Sequence, residues 1–172
     1  VVYTNPQLGS DGAILKARIL QLEIPQLYYF AEQYNFPSNW KAHYLGTGKE
    51  IIRQTGGEVT HFVAGLGTSG TFVGTGQRLK EYEKTIQLIS FQPESPMHGL
   101  EGLKHYPTSI VPGIYRPDLA DWELNAETEM AQEMAKRLAI EEGLLVGPSG
   151  GAAVACALEV ARTLSSGWVV TL

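Results

Sequence analysis

Gly67-Thr68-Ser69-Gly70-Thr71 is the stretch of this sequence best suited to chemistry, because it joins an apolar run, Phe62-Val63-Ala64, to a helical pattern. The first four N–H groups of a helix have no partner within it and sit at the positive end of the macrodipole, so a phosphate ester docked there satisfies both. Glycines let the backbone come close to such an anion, and the hydroxyls of Thr68, Ser69 and Thr71 add donors. The same residues spell Gly65-x-Gly67-x-x-Gly70, the pattern of a dinucleotide-binding turn. A dinucleotide site also wants an acidic residue at the end of the next strand, about 20 residues on, to hold a ribose hydroxyl. Here the next candidate strand, Ile86 to Phe91, runs into Gln92, and Glu94 comes only after Pro93, so that reading fits poorly. A turn that serves packing alone is the other alternative.

A second turn lies far downstream, where Leu144-Leu145-Val146 meets Gly147-Pro148-Ser149-Gly150-Gly151 and then the small-residue helix Ala152 to Ala157. In an open parallel sheet the loops after the strand C-termini line one crevice, so both turns would face one ligand, with Ser149 presenting a hydroxyl. The alternative for Ser149 is an N-cap of its helix.

Segments spread over nearly the whole chain carry a resemblance. They are Gln33-Tyr34-Asn35-Phe36-Pro37-Ser38-Asn39, Thr47-Gly48-Lys49-Glu50-Ile51, Val63 to Thr71, Gln92-Pro93-Glu94 and Glu142 to Ala152. Together they resemble the fold-type-II pyridoxal-phosphate enzymes, and within them the cysteine synthases. Gly102-Leu103-Lys104-His105-Tyr106-Pro107, followed by Val111-Pro112-Gly113-Ile114, is similar to the B-type enzymes.

The resemblance implies an α/β fold: an open twisted, mostly parallel sheet with helices on both faces. Residues 1–34 would be the tail of a smaller domain and residues 35–172 a larger domain that holds pyridoxal 5′-phosphate. It further implies that Gly67, Thr68, Ser69, Gly70 and Thr71 cradle the phosphate and that Ser149 meets the pyridine nitrogen. A neutral hydroxyl there leaves the nitrogen largely unprotonated and the ring a weaker electron sink, which favours β-elimination over transamination. Gln33 would contact the substrate carboxylate, its alternative being an exposed polar residue. Lys104 and His105 would face an anionic leaving group or second substrate, their alternative being a solvated loop. Ser69 stands where many relatives carry Gly, and Pro148 removes an N–H beside Ser149; neither departure removes a hydroxyl.

The implied reaction is a β-replacement in which O-acetylserine or O-phosphoserine and sulfide give cysteine, in a cytoplasmic homodimer. Other readings are a non-catalytic truncated paralogue or interaction domain, a dinucleotide-binding oxidoreductase, or another enzyme of the same fold type such as cystathionine β-synthase or a serine/threonine dehydratase. No catalytic residue is assigned. None of Lys16, Lys41, Lys49, Lys80, Lys84, Lys104 and Lys136 sits in the Ser-x-Lys-type motif that would supply the family's covalent anchor. The chain starts at Val1 without Met and stops on the strand-like Trp168 to Leu172, so it reads as a fragment expected to be inactive alone.

At 172 residues with 44% apolar side chains the chain suffices for one domain with a real core. A net charge of −5 with scattered basic residues argues against nucleic acid or an anionic membrane as partner. Cys156 is the single cysteine, so no internal disulfide forms, and it reads as a small buried hydrophobe. His43, His61, His98 and His105 show no metal-ligand spacing, so no metal is expected.

Several elements must position the turns. Strands are expected at 1–4, 86–91 and 144–146, with a short strand or extended segment at 28–31, beside the strands ending at Ala64 and at Leu172. Helices are expected over about 13–21, from a capping box at Thr47-Gly48-Lys49-Glu50 to near Gly56, from the phosphate turn to Tyr82, and from a cap at Asn125 to a stop at Gly143. The domain boundary falls in the polar stretch Asn35 to Asn39. The loop from Gln92 to Trp122 is too long to be idle and is expected to cover the crevice.

Overall fold

The computed structural model describes residues 1–172 and contains one four-stranded, wholly parallel sheet. Its strands are β1 (Val59–Gly65), β2 (Gln87–Pro93), β3 (Trp122–Ala126) and β4 (Trp168–Thr171), in the spatial order β3-β2-β1-β4. The chain therefore builds outward from β1 to β3, then crosses back to place β4 on the other side of β1. Strand order reverses there, and in open α/β sheets the crevice at the strand C-termini beside such a reversal takes the ligand.

Alternation along β1 explains the layers. Phe62 and Ala64 face one side with Ile51, Leu66, Phe72, Leu79 and Leu88, where α3 (Thr47–Gln54) and α4 (Gly70–Tyr82) pack. Val63 faces the other with Ile89, Phe91, Ala152, Ala153, Cys156 and Val160, under α5 (Thr128–Arg137) and α6 (Pro148–Arg162). Period-two alternation feeding two cores gives a sheet with helices on both faces, as the sequence implied. Two further helices, α1 (Gly9–Glu23) and α2 (Ser38–Leu45), complete the set, α2 lying against α4. Cys156 is fully buried, and burial pushes its thiol up to about 12, so it behaves as an apolar side chain.

The helices come unusually close at two glycines. A Cβ on Gly74 of α4 would overlap the Trp40 carbonyl of α2, and one on Gly151 of α6 would overlap the Ala131 carbonyl of α5. The small-residue run of α6 is thus a packing surface for α5 and the sheet.

Several expected elements do not form. Val1 to Thr4 and Tyr28 to Ala31 pair with no strand, and neither does Leu144 to Val146, which lies largely exposed. An apolar run becomes a strand only where a neighbour accepts its backbone hydrogen bonds, and none of these three meets one. Conversely β3 was not expected. Asn125 lies inside it, paired with Gln92, so the helix cap passes to Glu127 and the helix starts at Thr128. It runs on through a π turn, Leu138–Glu142, to Gly143, whose φ of 69° supplies the expected left-handed stop. The capping box at Thr47 is also absent: Gly46 is the cap and Thr47 already lies in the helix, its hydroxyl 3.0 Å from His43 Nδ1. The first helix begins four residues earlier than expected, at Gly9.

Gly74→Ala and Gly151→Ala should each destabilise the fold by about 1–3 kcal/mol in urea denaturation, because overpacking opposes the usual gain of about 1 kcal/mol from removing a helical glycine. Burial also holds His43 and His61 below the ordinary histidine range. The unfolded chain then binds more protons than the folded one as pH falls through about 6.5, so stability present above that value should decline below it. Urea midpoints between pH 8 and pH 5 check the sign, and His43→Gln should reduce the slope.

Candidate functional site

The turn after β1 leaves its amides open. Leu66 N–H donates to Phe91 O at 2.8 Å and Val73 N–H to Ser69 O at 2.8 Å, but between them Thr68, Ser69 and Thr71 donate to no backbone carbonyl. Gly70 N–H reaches only Thr68 Oγ1, at 3.3 Å. Ser69 takes the left-handed conformation (φ 67°, ψ −3°), the one non-glycine residue in the chain to do so, at about 1–2 kcal/mol. The residue is 2% exposed and its Oγ makes no hydrogen bond of good geometry within the chain, the Tyr106 hydroxyl being the one group within its reach. A strained residue with an orphaned buried hydroxyl, set among free amides at the positive end of a thirteen-residue helix, is a donor array without an acceptor. The oxygens of an anion are the acceptor it fits.

Three neighbours hold the turn. Asn39 at the start of α2 donates from Nδ2 to Gln33 O at 2.6 Å and to Thr68 Oγ1 at 3.0 Å, while its Oδ1 occupies the space a Cβ on Gly70 would need. Tyr106 donates its hydroxyl to Gly67 O at 3.2 Å; burial raises its phenol well above the ordinary range, so it stays a donor. His43 Nε2 lies 3.3 Å from Thr71 Oγ1. A side chain at Gly67 would overlap the Gly102 carbonyl, so the turn and the long loop touch backbone to backbone.

That loop, 94–121, carries the third wall. Lys104 N–H donates to Leu66 O at 2.9 Å and Tyr106 N–H to Gln92 Oε1 at 2.9 Å, tying it to both strand ends. The Lys104 side chain is 7% exposed, paired with Asp11 of α1, and its Nζ sits 5.2 Å from the centre of the Tyr34 ring. Asp11 also accepts from Ile110 N–H at 2.7 Å, so one carboxylate joins α1 to the loop. The loop was expected to cover the crevice, and it does so through Gly102, Leu103 and Lys104.

Two cavities meet at the C-terminal end of β1. The first, about 500 Å³, is lined by Gln33, Tyr34, Lys104 and all of Gly67 to Thr71. The second, about 400 Å³, is lined by Ser149, Gly147, Phe91 and Leu172. Gly65, Thr71 and Leu103 border both. Ser149 is the second residue of α6, after the cap Gly147, and lines the second cavity. The two turns, distant in sequence and belonging to helices on opposite faces, therefore open at one end of the sheet, beside the C-terminus of β1.

Of the residues singled out in the sequence, Gly67, Thr68, Ser69, Gly70, Thr71, Gln33 and Lys104 share one cavity and Ser149 the adjoining one. His105 stands apart: its Nδ1 lies 2.8 Å from Thr108 Oγ1, and it lines neither cavity. Sequence reasoning missed Asn39, His43, Tyr106 and Asp11. Asn39 belongs to a polar stretch that read as a boundary, and His43 and Thr47 lie on two different helices separated by Gly46, so no local spacing announces their contact.

Comparison with known proteins follows the same lines. The profile of the family described as "Pyridoxal-phosphate dependent enzyme" matches residues 1–172. The cysteine synthase of Aquifex aeolicus is 49% identical over 162 residues, covering 94% of this chain and 50% of that protein. Cysteine synthase B of Escherichia coli is 39% identical over 174 residues, covering 100% of this chain and 56% of that protein. Among solved structures, a cysteine synthase from Entamoeba histolytica superposes with a TM-score of 0.89 at 31% identity, over 99% of this chain and 52% of that one. An O-acetylserine dependent cystathionine beta-synthase from Helicobacter pylori also gives 0.89, at 34% identity, over 99% of this chain and 57% of that one. The chain thus spans about half the length of these relatives. With a donor array at the β1 turn, a hydroxyl on the α6 turn and a family profile matched from end to end, this chain belongs to the pyridoxal-phosphate dependent enzymes.

Proposed function

We propose that this chain is the cofactor-holding part of an enzyme that replaces the β-substituent of O-acetylserine or O-phosphoserine with sulfide to make cysteine. The observation that carries the reading is the meeting of the Gly67–Thr71 and Ser149 turns across Gly65, Thr71 and Leu103. The fit of the cofactor rests on the open amides and the orphaned Ser69 hydroxyl, which suit a phosphate ester. When bound, pyridoxal 5′-phosphate supplies an electron sink for the substrate Cα–H bond.

The chain's own residues then have distinct tasks. Gly67 to Thr71 bind the phosphate oxygens. Ser149 donates to the pyridine nitrogen from the N-terminus of a fifteen-residue helix, whose positive end disfavours a proton there. Gln33, exposed at the rim, binds the substrate carboxylate, and Lys104, already neutralised by Asp11, orders the loop that shields the reacting atoms from water. His105 takes the outer position, toward an anionic group arriving from solvent. Residues 1–34 form part of a smaller domain and residues 35–172 the larger one. The partners are small molecules, with a second copy of the enzyme completing a cytoplasmic homodimer; no helix is long and apolar enough to cross a membrane. The Helicobacter pylori neighbour favours one second reading, in which a thiol amino acid rather than sulfide is the incoming nucleophile.

Pyridoxine 5′-phosphate, which has no aldehyde to react with lysines, should bind the chain at least tenfold more tightly than pyridoxine in equilibrium dialysis, a preference of about 1.4 kcal/mol. Gly70→Val should abolish that preference by displacing Asn39. Equal binding of the two compounds to the unaltered chain would refute the phosphate cradle. With ¹⁵N-labelled pyridoxine 5′-phosphate, the bound pyridine nitrogen should show the shift of an unprotonated, hydrogen-bonded ring, and Ser149→Asp should move it toward pyridinium.

A further inference from the structure

His43 is a histidine that the proposed reaction does not use, yet it is wired to the anion-binding turn. It lies half-buried where α2, α3 and α4 meet, in the space that Gly74 leaves open. Nδ1 is 3.0 Å from the hydroxyl of Thr47, the first residue of α3, and Nε2 is 3.3 Å from the hydroxyl of Thr71, the second residue of α4. Thr71 in turn borders both cavities. A chain of three side chains thus runs from the back of the site to its centre.

The chemistry of a neutral imidazole gives this chain a direction. One ring nitrogen donates and the other accepts. If Nδ1 accepts from Thr47 and Nε2–H donates to Thr71 Oγ1, the Thr71 proton is free to point at an anion. In the other tautomer Thr71 spends its proton on Nε2 and turns a lone pair toward the cavity, which an anion repels. The imidazolium also donates through Nε2 and again releases the Thr71 proton. An anion in the turn therefore selects the two states of His43 in which Nε2 carries hydrogen.

We propose that His43 is a positioning residue for phosphate-ester binding, holding the Thr71 hydroxyl as a donor toward the anion and favouring its own protonation when the anion is bound. The proposal rests on the assignment of Gly67 to Thr71 as the phosphate cradle. The surroundings do not supply the charge coupling in another way. Besides His43, Lys41 and Tyr44 on α2, Lys49, Glu50 and Arg53 on α3, and Arg78, Lys80, Glu81 and Tyr82 on α4 are the ionisable groups of the packed elements. Tyr44 and Glu81 bond each other at 2.5 Å, Arg78 lies 5.5 Å over the Tyr44 ring, and Lys80 is paired with Asp121. Burial alone holds His43 toward its neutral form, so a dianion one hydroxyl away is the charge that can reverse the balance.

The test uses the 172-residue chain with pyridoxine 5′-phosphate and pyridoxine as probes. His43→Asn, whose short amide reaches toward Thr47 but not Thr71, should weaken pyridoxine 5′-phosphate about tenfold, the size of one hydrogen bond to a charged group. Thr71→Ala should do the same, and the double variant should lose no more than either single one. His43→Gln, whose amide nitrogen replaces Nε2, should bind within about threefold of the unaltered chain. In ¹H–¹³C spectra of the unaltered chain, which needs no variant to fold, pyridoxine 5′-phosphate should move the His43 titration to higher pH and pyridoxine should not. Unchanged affinity in His43→Asn, additive losses in the double variant, or a His43 titration indifferent to bound pyridoxine 5′-phosphate would each overturn the proposal while leaving the cradle intact. Failure of the unaltered chain to prefer the phosphorylated probe would sink both.

Discussion

The constraint on which this structure depends is that the N-terminus of α4 cannot satisfy its own amides. Every helix has this deficit, and most meet it with a capping side chain or water. Here the candidate cap is Ser69, in a left-handed conformation with its hydroxyl making no capping bond, and the residues around it preserve the deficit. Asn39 takes the space beside Gly70, Tyr106 occupies the Gly67 carbonyl, and the Gly102 backbone closes over Gly67. Each contact uses a carbonyl, a hydroxyl or a Cβ vacancy of the turn and spares the N–H groups of Ser69 and Thr71. The turn is built to keep donors without acceptors, a condition that an anion relieves.

From that constraint the rest of the architecture follows. A rigid turn needs rigid supports, and they come from three directions: α2 through Asn39 and His43, the strand ends through Leu66, and the long loop through Tyr106 and Lys104. The loop is itself held by side chains that bond backbone, such as Gln92 to Tyr106 and Asp11 to Ile110. Such bonds let 28 residues without a long helix or strand keep one course over the crevice. Ser149 reaches the same end of the sheet through the packing of α6, which sets it beside Gly65, Phe91 and Leu172, although the segment before it pairs with no strand.

Much of this was legible in the residues. The apolar run ending at Ala64, the glycines and hydroxyls after it, and the small-residue helix after Ser149 are local signals whose physics is local: alternation for a strand, open amides for a helix start, absent side chains for close packing. The collinear segments added the cofactor, and end-to-end agreement with a family profile bears that out. What misled the reading was pairing. Leu144 to Val146 has as apolar a composition as β4, yet it is exposed and unpaired, while the more polar Trp122–Ala126 is a strand because β2 offers it an edge. Thr47 looked like a cap by its spacing to Glu50, but the hydroxyl was taken by His43 from the preceding helix.

The sequence by itself determined the character of the turn, since open amides flanked by hydroxyls are a matter of which consecutive residues lack side chains and which carry an OH. Only the tertiary structure decided which distant groups complete it. Asn39, His43, Tyr106 and Asp11 are ordinary polar residues in their own segments, and they gain meaning from contacts with partners 28 to 99 residues away. Hydrogen bonds of that kind are set by how helices and loops pack around the sheet, and no periodicity along the chain records them, because the spacing of two residues in sequence says nothing of their separation once the chain has crossed from strand to strand.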